Sequence, residues 1–425
     1  MSGGPFGLEP LLNYAGEHAA LLVLLITPIF WDIPAIFTVL ELNSMMPVTG
    51  GYYKWVKHAL GTRWGFYEGW WTWLYTFVDL AIYPGLFVLY ASFFFPVLAE
   101  YRIPICLCVV WGSAALNILG IVPVGKTSLV LGGVVLVPFI ILVGLFFYHD
   151  TGAMIIPSPS IKGVPFTSFG MALYTVMWNC LGWDNVTTYA EEVEKPVRSY
   201  LISVFTAFTL VIVLYFLVIL IAQQSGINAG KLEDQGFPAV GLLFGGQWLG
   251  ALIAIAGMAS SLGIYAAVLL SVSRVPKVMA DDGLLPSGLN KLHKKFNTPH
   301  VSILVCSLVV SFMILWSFAD LLIIDVTVYG AGLSLEYISL IKLRISEPDT
   351  IRPFKIPLNN AGLVLMLLLP FTVYFVALAG AFSSTEKAIW AALFAIFALS
   401  SAELVWRLIL WKKPFLKYNG SSRKS

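Results

Sequence analysis

Charge is the scarcest commodity in this sequence. Only 11% of its 425 residues are Asp, Glu, Lys or Arg, against about 25% in soluble domains, and the shortage excludes a protein whose main solvent is water. Cysteine is scarce too. Cys106, Cys108, Cys180 and Cys306 all fall inside apolar stretches, without metal-ligand spacing or paired loop positions, so neither a bound metal nor a disulfide framework is expected. The five histidines, His18, His58, His149, His293 and His300, lie at the ends of apolar runs or in loops. No nucleophile–base constellation accompanies them, which speaks against an enzyme and against any cofactor. The N-terminus, MSGGPFGLEP, has neither the basic region nor the short apolar region of a cleavable signal. A net charge of +2 leaves no electrostatic footprint for a nucleic-acid partner.

What is abundant is apolar surface: 59% of the residues are hydrophobic, with 14 Trp, 18 Tyr and 29 Phe, an aromatic load suited to spans and their interfacial belts. A bilayer-crossing helix needs about 20 mostly apolar residues. Eleven such stretches run through residues 18–46, 64–98, 103–122, 127–148, 168–190, 200–223, 248–273, 300–318, 321–343, 361–382 and 386–411. A shorter apolar piece, Pro5–Ala15, precedes them. Counting that piece as the first segment, 168–190 is the sixth. With the C-terminus inside, 21 of the 25 Lys and Arg residues fall on the cytoplasmic side, and only Arg102, Lys162, Lys231 and Lys387 fall outside. One span more or fewer would destroy that asymmetry. The expectation is an all-α polytopic protein of the cell membrane with a cytoplasmic C-terminus, in contact with the lipid bilayer throughout. Its short leading piece reads as the outer half of a first helix whose inner half is absent, so a twelve-span design underlies the chain. No soluble domain fits, and the connections at 149–167 and 274–299 allow at most a short interfacial helix.

Two segments are broken. Ser2-Gly3-Gly4-Pro5-Phe6-Gly7 opens the leading half-helix, and Trp178-Asn179-Cys180-Leu181-Gly182-Trp183-Asp184-Asn185 interrupts the sixth segment. In a bilayer, broken backbone is tolerated only where it meets protein, water or ligand. Breaks five segments apart match inverted repeats with a substrate held between them, although a glycine-rich stretch alone also suits a loop or close helix packing. Intramembrane acids add to the case, because ionising a carboxylate there is costly. Asp79 lies deep in the third segment and Asp184 at the sixth-segment break; both suit pairing with an amine or carrying a proton. Glu41 and Glu68 lie nearer the cytoplasmic ends, where solvation or helix pairing is the competing role, and Glu191, Glu192 and Glu194 read as an aqueous helix end. Trp178 fits either an aromatic lid or packing. Ser260 and Ser261 fit either hydroxyl ligands for sodium or small-residue packing.

Further motifs run along the chain: Glu41 with Pro47-Val-Thr-Gly50-Gly51-Tyr52; Gly65-Phe-Tyr-Glu-Gly69-Trp70 with Asp79 and Tyr83-Pro84; Trp183-Asp184 with Glu192-Val-Glu194-Lys-Pro196. Later come Met279-Ala-Asp-Asp-Gly283-Leu-Leu-Pro286, then Leu335-Glu336 with Lys342-Leu-Arg344 and Arg352-Pro353-Phe-Lys-Ile-Pro357. Together they resemble the amino acid–polyamine–organocation superfamily, within it the permeases that include plant-type polyamine uptake transporters. The resemblance covers essentially the whole chain. It implies a leucine-transporter-type fold in one transmembrane domain: a first repeat over 1–148, incomplete at its first helix, a second over 168–345, two extra helices over 361–411 and a tail over 412–425. It also implies import of amino acids or polyamines by alternating access, with a non-transporting sensor or partner subunit as the other role this fold serves. Carried over by position, Ser2, Gly3 and Gly4 bind at the first break, and Trp178, Leu181, Gly182 and Asp184 line the sixth; Asn179, which interrupts the same apolar run, is a further substrate-binding candidate. Asp79 matches an acid of the polyamine branch. The fifth-helix lysine of many relatives has no equivalent, since Lys126 lies too near the cytoplasmic end, so proton coupling falls to Asp184, Asp79 or Glu41, with sodium as the other coupling ion.

Overall fold

Each of the eleven apolar stretches contains a helix in the computed structural model, which describes residues 4–149, 157–185, 187–188, 196–382 and 386–412. Ser2, Gly3, Glu191, Glu192 and Glu194 lie outside the described residues. In chain order the helices are α1 (Pro10–Thr27), α2 (Ile33–Met45), α3 (Gly51–Leu60), α4 (Thr62–Ala91), α5 (Arg102–Ile118), α6 (Ile121–His149), α7 (Phe166–Cys180) and α8 (Pro196–Gln224). They continue with α9 (Ala229–Gln235), α10 (Pro238–Val272), α11 (Arg274–Asp281), α12 (His300–Met313), α13 (Phe318–Ser346), α14 (Asn360–Phe382) and α15 (Glu386–Lys412). Among the described residues, eight helical spans are long and apolar enough to cross a membrane.

Local chemistry sets the interruptions. Gly16, at φ 69° and ψ 173°, separates the leading half-helix from the rest of α1, a left-handed geometry that only glycine adopts cheaply. Gly246, at φ 70°, divides α10 in the same way, so the spanning part begins where the apolar run 248–273 predicts. Between α1 and α2, Pro28–Asp32 forms one wide turn in which the Ile33 N–H reaches back to the Pro28 carbonyl. Such π turns gather at functional positions, and this one carries Asp32 into the protein interior, fully buried.

The layering follows from burial. Of an apolar 18-residue segment of α4 and of α13, 78% and 72% is buried, whereas in α6 and α15 the share is 22% each. α4, α10 and α13 thus form the centre, and α6, α8, α14 and α15 present apolar surface outward. Where apolar side chains gain little from leaving lipid, close approach holds helices together. α7 crosses α14 glycine on glycine: a Cβ on Gly170 would sit 2.6 Å from the Gly380 Cα. Gly257 of α10 lies against the Tyr90 ring of α4, and Gly330 of α13 against the Tyr374 ring of α14.

Candidate substrate site

The two breaks lie side by side. At the first, Gly4 and Gly7 have φ of 60° and 97°, and the turn they make feeds directly into Pro10 at the start of α1. The freed Gly7 N–H donates to Glu9 Oε2 at 2.6 Å, and the Tyr90 hydroxyl donates to Glu9 Oε1 at 2.5 Å. At the second, α7 ends at Cys180, the Leu181 N–H turns back to the Trp178 carbonyl at 3.1 Å, and Gly182 takes φ 89°. The Asp184 carbonyl then accepts from the Thr187 N–H and hydroxyl at 2.9 and 2.7 Å. Asn179 joins the breaks: its Nδ2 donates to the Gly7 carbonyl at 3.1 Å and to Thr175 O at 2.8 Å. Its own carbonyl accepts from the Tyr215 hydroxyl at 3.1 Å.

Asp79, halfway along α4, meets this junction from the side. Its Oδ1 accepts from the Tyr83 hydroxyl at 2.7 Å and from the Trp178 indole at 3.0 Å. The Tyr83 and Trp178 rings are stacked, with centroids 6.0 Å apart, and Phe318 stands edge-on to Trp178 at 5.6 Å. Trp178 is fully buried and leaves room for nothing but glycine at position 7, where a Cβ would fall 2.6 Å from the indole. Asp184 is buried as well, with the Tyr329 hydroxyl at 3.5 Å and Tyr329 edge-on to Tyr75. Ser260 of α10 borders the first break, its Oγ 3.5 Å from where a Gly4 Cβ would be, while Ser261 Oγ donates to the Gly257 carbonyl. Of the residues expected here, Gly4, Asp79, Trp178, Asn179, Leu181, Gly182 and Asp184 are therefore assembled around one junction.

Glu41 lies apart from this group. At the basic end of α2 its carboxylate accepts from Arg344 Nε and Nη2 at 2.6 and 2.5 Å and from the Ile356 N–H at 2.9 Å, with Arg352 Nε at 3.4 Å. Arg344 also donates to the carbonyls of Leu358 and Ile356. A second clamp sits nearby: Asp282, just after α11, accepts from Lys57, Lys54 and Tyr53 at 2.7, 3.0 and 2.5 Å. Partial burial works to raise the Asp282 pKa, but these donors outweigh it and hold it below the usual carboxylate value. A depressed carboxylate stabilises the fold above its ordinary pKa and ceases to do so as pH falls through the lowered one, so this tie between α3 and α11 is fully formed at neutral pH.

Two clefts stand out, of which the smaller borders the site at Gly7 and Phe318. One of about 380 Å³ on the side away from the basic loops is lined by Gly7, Glu9, Ile82, Arg102, Glu233 and Phe318 among others. A larger one of about 1820 Å³ opens among Lys54, Lys57, His58, Arg274, Lys277, Lys342 and Glu347. Neither is lined by Asp79 or Asp184; Phe318 borders the smaller cleft, and Trp178 stands between it and Asp79.

Four acids here escape a reading of the sequence: Glu9, Asp32, Asp325 and Glu336, all buried. Asp325 and Glu336 share α13, and Asp32 shares its apolar stretch with Glu41. Glu336 is visible only as part of a motif.

Comparison with known proteins decides the family: the amino acid permease model matches residues 1–399. The chain belongs to the amino acid permease family. It is 32% identical over 433 residues to Polyamine transporter RMV1 of Arabidopsis thaliana, covering 99% of this chain and 85% of that protein. It is 32% identical over 385 residues to Polyamine transporter PUT1 of Oryza sativa subsp. japonica, covering 89% and 71%. Methylthioribose transporter of Bacillus subtilis (strain 168) matches at 27% identity over 350 residues, 76% of this chain and 73% of that protein, so membership alone does not fix the cargo. The permease is an integral membrane protein and a transporter.

Gly7→Ala tests the junction directly. The residue would be forced into a left-handed backbone, costing about 1–2 kcal/mol, and would push Trp178 off Asp79. Lower thermal stability together with altered tryptophan fluorescence is expected; a wild-type spectrum would show that the indole is not wedged there.

Proposed function

We propose that this permease imports polyamines by alternating access, with amino acids as the competing cargo, and that inward proton movement drives it. The site is the junction of the two breaks: backbone at Gly4, Leu181 and Gly182, side chains from Asp79, Trp178, Asn179 and Asp184, with Ser2 and Gly3, outside the described residues, as further members by sequence position. The observation that carries the reading is Asp79, a buried acid whose Oδ1 is held by Tyr83 and Trp178 and which has no ion-pair partner among the described residues. A desolvated carboxylate without a counter-charge costs several kcal/mol, and a cationic amine supplies that charge. The relatives named as polyamine transporters point the same way.

In this reading the helices up to residue 149 and those from 166 to 346 are inverted repeats that rock about the junction. Trp178 with Phe318 closes the path to the smaller cleft. The Lys- and Arg-rich face is cytoplasmic and the host is the cell membrane. Asp79 and Asp184 carry the proton, since Glu41 is neutralised by two arginines.

The test is uptake by proteoliposomes of labelled putrescine, spermidine and neutral amino acids, with and without an inward proton gradient. Saturable polyamine uptake that grows with the gradient is expected. Amino-acid uptake without polyamine uptake would exchange the cargo, gradient-independent uptake would remove the proton, and binding without flux would leave the sensor role in place of transport.

A further inference from the structure

Asp79 is not the only acid on the central seam. α4 and α13 pack against each other, running in opposite directions. Glu68 precedes Asp79 by eleven residues on α4, and Glu336 follows Asp325 by eleven on α13. Eleven residues are three helical turns and about 16 Å of rise, so each helix carries two acids on one face at the same separation. The register that sets Glu68 against Gly332, one turn before Glu336, sets Asp79, three turns on, against the turn of α13 just before Asp325. Asp184 meets the seam between them, its Oδ2 3.5 Å from the hydroxyl of Tyr329, one turn past Asp325 on α13.

The inner pair is placed by direct geometry. Glu68 Oε1 accepts from the Thr72 hydroxyl at 3.3 Å and lies 3.0 Å from where a Gly332 Cβ would be. Gly332 is one turn before Glu336, so the Glu68 carboxylate presses on α13 beside it. Both acids are nearly solvent-free, at 2% and 3% exposure, and Glu68 Oε2, Glu336 Oε2 and Asp325 Oδ1 have no hydrogen-bond partner. The Tyr337 hydroxyl, next to Glu336 in the chain, has none either. The ion pairs between described residues match lysine, arginine or histidine to Glu41, Asp281, Asp282, Glu347 and Glu403 instead.

Buried polar atoms are almost always paired, and a set of open carboxylate oxygens in the membrane interior calls for positive charge. One inorganic ion cannot serve two pairs separated by three turns. A rod with a charge at each end can. Thirteen bonds of an extended amine chain, the length of a tetraamine such as spermine, also reach roughly 16 Å. We propose that Asp79/Asp325 and Glu68/Glu336 form a two-rung track along the α4–α13 seam. It takes a linear polyamine lengthwise, with one end amine at each rung and the inner amines passing Asp184. The track rests on the amine-transport reading and adds to it a second subsite that selects for chain length. Putrescine, at roughly 6 Å between nitrogens, fits the outer rung and Asp184 alone.

The experiment is competition for labelled putrescine uptake by the full chain in proteoliposomes, with spermine, N1-acetylspermine and unlabelled putrescine as competitors. In wild type, spermine is expected to compete about tenfold better than N1-acetylspermine, which is as long but has lost one end charge. In Glu336→Gln and Glu68→Gln the spermine inhibition constant is expected to rise about tenfold, while the putrescine KM stays within about threefold. Equal competition by the two tetraamines in wild type, which needs no variant to fold, would overturn the track. So would a parallel loss for spermine and putrescine in the variants. Both results leave putrescine transport standing, whereas a wild-type chain that moves none of these amines would overturn the amine reading itself.

Discussion

Asp79→Asn is expected to lower kcat/KM for polyamines about a hundredfold while leaving neutral amino acids within about threefold. Hydrogen bonds to a charged group contribute about 1.5–3 kcal/mol, and the charge attraction in a desolvated site adds to that. The substitution is isosteric, and the amide oxygen can still accept from Tyr83 and Trp178, which now hold Asp79 Oδ1 at 2.7 and 3.0 Å. The protein is therefore expected to fold, to keep its thermal stability to within about 1 kcal/mol and to keep the Tyr83–Trp178 stack. The loss belongs in transition-state and substrate binding, where initial-rate kinetics reads it. Equal losses for polyamines and amino acids would show that Asp79 shapes the site without recognising an amine.

The second large effect is structural. Arg344→Met removes the guanidinium that holds Glu41 by two hydrogen bonds, and leaves a carboxylate with 0% exposure facing only Arg352 and the Ile356 N–H. Breaking a buried pair from one side costs about 3–5 kcal/mol. It also releases the carbonyls of Ile356 and Leu358, which Arg344 ties to the foot of α14. A marked fall in melting temperature in detergent is expected, with partial recovery in the double variant Glu41→Gln/Arg344→Met, because the second change removes the stranded charge. A fully stable Arg344→Met protein with altered proton dependence would contradict this and make Glu41 a carrier of the coupling proton.

How much of this was legible in the chain depends on which physical signal each residue leaves. Eight of the eleven expected spans are helices long and apolar enough to cross a membrane, legible because bilayer thickness fixes their length, whereas 103–122, 168–190 and 300–318 hold shorter helices among the described residues; the breaks were legible because glycines at 4, 7 and 182 interrupt apolar runs. Asp79 and Asp184 stood out as carboxylates amid apolar residues. Glu41 and Glu68 looked alike, both acids near a basic face; only the fold separates them, giving Glu41 two arginines and Glu68 none. Asp325 and Glu336 were not legible as a site, since α13 is apolar nearly all round and periodicity then cannot say which face meets α4. Asp32 depends on the wide turn at Pro28, whose effect on direction is a matter of three-dimensional geometry. The Asn179–Gly7 hydrogen bond, which joins the breaks, connects residues far apart in the chain and has no local signature.

The most direct measurement is an experimental structure of the chain in lipid nanodiscs with spermidine at saturating concentration. The account predicts elongated density between the two breaks, with one amine within hydrogen-bond distance of the Asp79 carboxylate and Trp178 covering it. Ligand density confined to the basic cleft around Lys54, Lys57 and Lys342, with the Asp79 junction unchanged and empty at saturation, would contradict it.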